Sequence, residues 1–497
     1  MTQPPSIPRP ANVHCLVGWR WGFALALLLP GASAAFDLSP CVLKAAEGRI
    51  EVKAECGYLS ALLNPADEGG KAIDLFVAVV PTVAAEPAED ALTVVAGGPG
   101  QASTEFFAAA ARVFRRIGLR RDIVLVDQRG TGRSAKLDCP NPAEEGLAWT
   151  AGSDVDKATA HALECLASLT EDPRYFTTSV AVADLERVRA ALGYPQLNLY
   201  GISYGTRVAQ HYLRRHPQRV RRLILDSLVP PPLALGPDVG AAGQAALDAI
   251  FARCAADEAC ARSFPDLEQR FQEVLRRLEA APVDVHFQHP ISGQPMTESM
   301  DRTVVAAVTR LLLYSPNAAA TLPVLIQDAY EGRYERLASR AASAFEALED
   351  IAEGLNFAVV CTEDAPFWGE LHQRGKQDTF MGSGFMDTLV KVCASWPSGL
   401  IDDDFKAPLT SDAPTLVLSG EFDPITPPRY LELMGNGLTN RLSIVAPGQG
   451  HGVLAASCVP RLMAEFIEAD EPLALDTACI DRAQPSPLFL SPMGPGS

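Results

Sequence analysis

The chain has 497 residues, of which 48% are hydrophobic and 21% charged, the balance of an ordinary globular protein long enough for two or three domains. A formal net charge of −18 and a pI near 4.9 argue against nucleic acid as a partner, because phosphate binding needs a basic surface. Cys-x-x-Cys and His-Glu-x-x-His are both missing, and the close pair His286 and His289 sits in a polar, proline-bounded segment, so the expectation is no metal.

Residues 1–35 read as a secretory signal. Arg9 and Arg20 supply positive charge, Trp21 to Pro30 is apolar, and Ala32-Ser33-Ala34 fits a small-residue cleavage site. The apolar run is short for a membrane span. The expected location is therefore secreted or periplasmic, with no stable membrane association after signal removal. Cys15 falls in this leader and leaves ten of the 11 cysteines for the mature chain. Their order suggests local pairs: Cys41–Cys56, Cys139–Cys165, Cys254–Cys260, Cys361–Cys393 and Cys458–Cys479. Order alone does not fix connectivity.

The span 36–230 reads as strands alternating with helices, the pattern of a mostly parallel, doubly wound α/β sheet. Ile73 to Val80 is a near-continuous β run closed by Pro81. Leu92 to Ala96 is a short apolar strand of the buried parallel kind, ending in Gly97-Gly98-Pro99-Gly100. A helix over about 103–117 follows, then a strand at 122–127. That strand opens into Asp127-Gln128-Arg129-Gly130-Thr131-Gly132-Arg133-Ser134, either an active-site wall or an Asp–Arg brace for the loops. Helices are expected at 154–169 and 179–192.

Leu197 to Thr206 then reads as strand, sharp turn and helix start around Gly201-Ile202-Ser203-Tyr204-Gly205, the Gly-x-Ser-x-Gly of a nucleophile elbow. Small residues flank the serine because the turn is tight. Another strand spans 220–226. Residues 231–404 are alanine-rich, with helical patterns at 240–256, 267–281, 301–314, 318–331, 334–349 and 385–394, and read as an inserted helical domain. The core resumes over 405–483 with strands at 415–419 and 442–446 and a helix at 459–468. Residues 484–497, rich in Pro, Gly and Ser, read as a flexible tail.

Serine is a poor nucleophile until a base near neutral pKa takes its proton, and an acid fixes the tautomer of that base. The expected order for this sheet is Ser, Asp, His. Ser203, Asp423 and His451 satisfy it, each following an apolar strand. Asp226 is a second candidate acid, while His211 and His216 ride on the elbow helix as structural or exposed residues. Charge growing on a carbonyl oxygen needs backbone N–H donors already in place. Tyr204 would supply one, and Gly98 or, as second choice, Gly97 the other.

Taken together, the Gly97–Gly100 loop, Asp127 to Ser134, Gly201 to Thr206 and the Asp423 and His451 segments resemble secreted α/β-hydrolase peptidases of the prolyl aminopeptidase and tripeptidyl aminopeptidase group. Cys361-Thr362-Glu363-Asp364 and Cys393-Ala394-Ser395-Trp396-Pro397 resemble the tripeptidyl branch, as do Ala96 and Tyr204, where prolyl aminopeptidases usually carry His and Trp. The resemblance implies an α/β-hydrolase fold with a large helical cap, no cofactor, and removal of residues from the free N-terminus of peptides. A small-acyl ester is the alternative substrate. An exopeptidase must hold a substrate amine, and Glu363 and Asp364 are the candidates for that. Oligomeric state is left open.

Overall fold

A computed structural model of the chain describes residues 36–45, 50–140, 154–376 and 379–495; the expected leader lies outside the described residues. Short β-branched runs build the sheet: β1 (Ser39–Lys44), β2 (Glu51–Leu62), β3 (Ala72–Val80), β4 (Ala91–Val95), β5 (Ile123–Val126), β6 (Leu197–Ile202), β7 (Val220–Asp226), and, after a hairpin of β8 (Val283–Gln288) and β9 (Pro295–Met300), β10 (Thr415–Gly420) and β11 (Arg441–Ala446). The main sheet runs β1-β2-β3-β5-β4-β6-β7-β10-β11. The first three strands are antiparallel to their neighbours, and every pairing from β5 onward is parallel.

Consecutive side chains on a strand point to opposite faces. Leu199, Leu223 and Val417 enter one core, while Tyr200, Ile224 and Leu418 enter the other. Both faces must therefore be covered, as in a doubly wound sheet. The cover comes from α1 (Ser103–Phe114), α3 (Thr178–Leu192), α4 (Tyr204–Arg215) and, late in the chain, α14 (Val459–Glu468), whereas α2 (Val155–Ser168) packs through Ala162 and Cys165 on Phe357, Cys361, Val392 and Trp396. The fold class read from the sequence is the one observed.

Between β7 and β10 the chain is mainly helical: α5 (Val239–Ala256), α6 (Glu258–Ser263), α7 (Leu267–Ala280), α8 (Arg302–Leu312), α9 (Pro316–Ala319), α10 (Leu322–Tyr330), α11 (Glu335–Glu346), α12 (Glu353–Glu363) and α13 (Gly384–Cys393). Three readings change here. The β8–β9 hairpin was not anticipated, although Val285 and Phe287 point inward between the exposed Asp284, His286 and Gln288. The helix expected at 318–331 breaks into α9 and α10, with Pro323 in the first turn of the second. Helix α12 was missed because it is buried on nearly every side and so carries no amphipathic stripe.

The final stretch, read as a flexible tail, is held down. Arg253 Nη2 donates to Ser486 O at 2.7 Å, Phe489 N–H donates to Ala320 O at 2.9 Å, and Leu488 is buried among the insert helices. Apolar Leu488 and Phe489 outweigh the surrounding Pro and Gly composition. The structure contains disulfides Cys41–Cys56, Cys139–Cys165, Cys254–Cys260, Cys361–Cys393 and Cys458–Cys479. Such bonds persist in oxidising compartments. Among the described residues no helix is long and apolar enough to cross a membrane.

Candidate active site

The parallel register brings five loops, those after β4, β6, β7, β10 and β11, to one edge of the sheet. Val95 pairs with Gly201, Ile202 with Asp226, Asp226 with Leu418, and Gly420 with Ala446. The residues that follow these pairs carry the candidate chemistry. Ser203 sits between β6 and α4 with φ 54° and ψ −125°, a conformation that costs a non-glycine residue energy and is kept where the surroundings enforce it. The flanking glycines let the chain turn that tightly. A Cβ on Gly201 would strike the Gly205 carbonyl, and one on Gly205 would lie 2.6 Å from Ala96 O. Gly97 comes against the serine itself, where a Cβ would lie 3.1 Å from Ser203 Cβ and 3.7 Å from Oγ.

Asp423 and His451 meet. His451 Nδ1 lies 2.9 Å from Asp423 Oδ2 and 3.0 Å from Oδ1. Asp423 Oδ1 also accepts from Ile425 N–H at 2.9 Å and Thr426 N–H at 2.8 Å, and Oδ2 from the hydroxyls of Ser227 at 2.8 Å and Thr426 at 2.9 Å. Burial pushes this carboxyl up, but the His451 charge, the imidazole hydrogen bond and the backbone donors outweigh it and bring the pKa down to about 2. An ionised carboxylate only accepts, so Nδ1 carries the proton and Nε2 keeps a free lone pair.

The histidine loop is fixed on several sides. Gly452 N–H donates to Ser227 Oγ at 2.8 Å and Val453 N–H to Asp226 Oδ1 at 2.9 Å. His451 N–H donates to Tyr314 O at 2.9 Å, and the Tyr314 ring meets the imidazole edge-on at 5.0 Å. Asp226, the alternative acid, is thus a loop anchor; burial raises its pKa to about 6. Among the described residues no hydrogen bond closes the last step from the imidazole to Ser203 Oγ. The two loops are packed together, since a Cβ on Gly452 would meet Ile202 Cδ1 at 2.9 Å. Unliganded hydrolytic sites often hold this contact loosely and tighten it on substrate binding. Ser227, Thr426 and Tyr314 were not singled out from the sequence; their roles depend on which strands become neighbours.

Tyr204 is the first residue of α4, where N–H groups have no partner within the helix and the helix dipole favours negative charge. Gly98 lies in an exposed turn at φ 105°. These are the two expected oxyanion donors, at the ends of the neighbouring strands β6 and β4.

Residues 90–455 match the alpha/beta hydrolase fold family. The chain belongs to that family. It is 33% identical over 214 residues to a tripeptidyl aminopeptidase of Streptomyces coelicolor, a match covering 40% of this chain and only 39% of that enzyme's length. It is 25% identical over 468 residues to the serine protease Hip1 of Mycobacterium tuberculosis, covering 87% of this chain and 88% of that protein. A proline iminopeptidase of Neisseria meningitidis is 30% identical over 103 residues, 21% of this chain and 23% of its own. The chain is thus a member of the alpha/beta hydrolase fold family that is similar in sequence to serine peptidases.

In this alpha/beta hydrolase Glu363 and Asp364 do not do what the sequence suggested. Both are fully buried, and their oxygens are taken up inside the protein. Asp364 receives Arg207 Nη1 and Nη2 at 2.9 and 2.7 Å, Lys406 Nζ at 2.9 Å and Leu235 N–H at 2.9 Å. Glu363 receives the N–H and hydroxyl of Thr178 at 2.6 and 2.9 Å. A substrate amine would have to displace a two-pronged Arg–carboxylate pair, so the amine-binding assignment is withdrawn. Burial drives the Glu363 carboxyl up, to about 7, whereas Arg207 and Lys406 outweigh burial at Asp364 and keep it low.

The 127–134 loop acts as a brace. Asp127 accepts from Thr104 N–H at 3.0 Å and Arg133 N–H at 3.2 Å, and Arg129 pairs with Asp184 at 2.6 Å. His211 bonds Asp402 at 2.7 Å, and His286 Nδ1 lies 2.7 Å from Thr297 Oγ1 on the exposed hairpin. A cavity of about 600 Å³ between Phe287, Leu325 and Phe489 touches none of the proposed catalytic residues.

Proposed function

We propose that the chain is a secreted or periplasmic serine hydrolase in which Ser203, His451 and Asp423 cut an acyl bond, and that its substrates are peptides cleaved near a free N-terminus. The observation that supports the reading is the contact of His451 Nδ1 with both carboxylate oxygens of Asp423, on loops that follow parallel strands of the sheet that also carries the strained Ser203. His451 Nε2 takes the Ser203 proton as Oγ attacks the carbonyl, and the charge on the carbonyl oxygen is met by N–H groups of Tyr204 and the Gly97–Gly98 turn. His451 then returns the proton to the leaving amine. Water, activated by the same imidazole, hydrolyses the acyl-enzyme and frees Ser203. The five disulfides and the leader read in the sequence support export.

Peptide specificity rests on the relatives named above. A second reading, hydrolysis of small esters by the same three residues, is favoured by one observation: the carboxylates expected to bind an amine are consumed internally. Mass spectrometry of products from a mixed library of free and N-acetylated peptides, run beside p-nitrophenyl esters, separates the two. Cleavage confined to free-amine peptides supports the exopeptidase, and turnover of esters alone supports the second reading. Ser203→Ala and His451→Ala are each expected to lower kcat by several orders of magnitude with the melting temperature kept. Full activity in Ser203→Ala would overturn both readings.

A further inference from the structure

Helix α12, in the insert, bonds the glycine loop of the proposed oxyanion hole at one end and reaches Tyr204 through Thr178 at the other. Before its first turn, Ala352 N–H donates to Gly100 O at 3.0 Å, and within that turn Asn356 Nδ2 donates to Pro99 O at 3.0 Å. Both acceptors belong to the loop that carries Gly98. The contact is close, since a Cβ on Gly100 would meet Ala352 O and Ile351 Cγ2 at 2.7 Å each.

At the other end, Glu363 holds Thr178, whose hydroxyl lies 2.7 Å from the Tyr204 phenol oxygen. With the Thr178 proton given to Glu363, the phenol donates to Thr178 Oγ1 and accepts from Gln128 Nε2 at 3.0 Å. The next residue, Asp364, grips Arg207 one turn into the elbow helix. Between the two ends, Leu355, Ala358 and Val359 are buried in the main core, and Cys361 is bonded to Cys393.

We infer that α12 is a strut that sets the spacing of the two oxyanion donors, with Asn356 and Glu363 as positioning residues at its ends. The inference rests on the serine-hydrolase reading above. A tetrahedral oxygen is stabilised only when both donors lie about 2.7–3.1 Å from it. Those donors sit on loops at two strand ends, where the ladder that aligns β4 and β6 has stopped. A helix of eleven residues is a stiff rod about 16 Å long, and one anchored at both ends fixes loops that the strands leave free.

The test uses the full chain with p-nitrophenyl butyrate as substrate. Phenylboronic acid, which forms a tetrahedral adduct on the serine, serves as the transition-state probe. Asn356→Ala is expected to lower kcat about tenfold and to weaken the boronate by the same factor, with KM within about twofold of wild type. Asn356→Gln should recover part of both. Tyr204→Phe and Glu363→Gln, at the other end, should give the same split, and Tyr204→Phe carries that arm if Glu363→Gln does not fold. Unchanged kcat and boronate affinity in Asn356→Ala, or a rise in KM alone, would overturn the strut. The Ser203→Ala control separates the two failures: its activity would remove the underlying reading, whereas an inert control beside an unaffected Asn356→Ala removes only the strut.

Discussion

His451 faces a carboxylate that stays ionised well into acid, and this decides what substitutions there do. Asp423→Asn keeps the shape, but its amide can donate toward Nδ1 and so selects the tautomer that blocks Nε2. Activity is expected to fall by roughly 10⁴ with KM little changed, measured by steady-state kinetics. The same side chain has a stability signature. Its folded pKa of about 2 lies below the unfolded value of about 3.9, so its contribution is present above that unfolded value and is lost as pH falls toward 2. Thermal melts of the wild type should therefore decline over that window more steeply than those of Asp423→Asn. Wild-type and variant curves falling in parallel would contradict the assignment.

At the scale of elements, the elbow was readable because it is a local event: apolar strand, glycine, serine, glycine, amphipathic helix. Its tightness gives a sharp expectation. Gly205→Ala puts a methyl group against the carbonyls of Val95 and Ala96, buried backbone at the end of β4 that cannot rotate away. The cost is expected to be about 3 kcal/mol or more, seen as a large fall in the urea midpoint. A variant that melts like wild type would mean that the elbow is looser than it looks. The strands and the Ser-Asp-His order were legible for the same local reason. Helix α12 was not, because Leu355, Phe357, Ala358, Val359 and Val360 surround it with apolar groups and erase the periodicity on which a helix is recognised. Glu363 and Asp364 were misread because two acids in sequence look solvated or functional until the chain folds, when Arg207 and Lys406 pair with Asp364 and Thr178 takes up Glu363. Removing one such partner leaves a buried charge uncompensated, and for that reason a cluster of this kind is more costly to break than it was useful to form.

At the scale of the whole molecule, the insert is tied into the proposed catalytic edge at three places: Tyr314 on the histidine loop, α12 on the glycine loop, and Asp364 on the elbow helix. The last described residues add a fourth tie. Pro485 lies against Gly448, where a Cβ would meet Pro485 N at 2.7 Å, and Ser486 and Phe489 are bonded to the insert. Deleting residues 485–497 is therefore expected to lower the melting temperature by several degrees and to reduce kcat, since Gly448 opens the loop that ends at His451. Differential scanning fluorimetry and ester turnover on the shortened chain check this, and an unchanged kcat would show that the loop stands without support.

That seam also has a practical consequence for handling the protein. An affinity handle or fluorescent reporter fused after Ser497 would hang from a segment wedged only a few residues from His451, the proposed general base, so crowding or cleavage there can perturb turnover without touching Ser203.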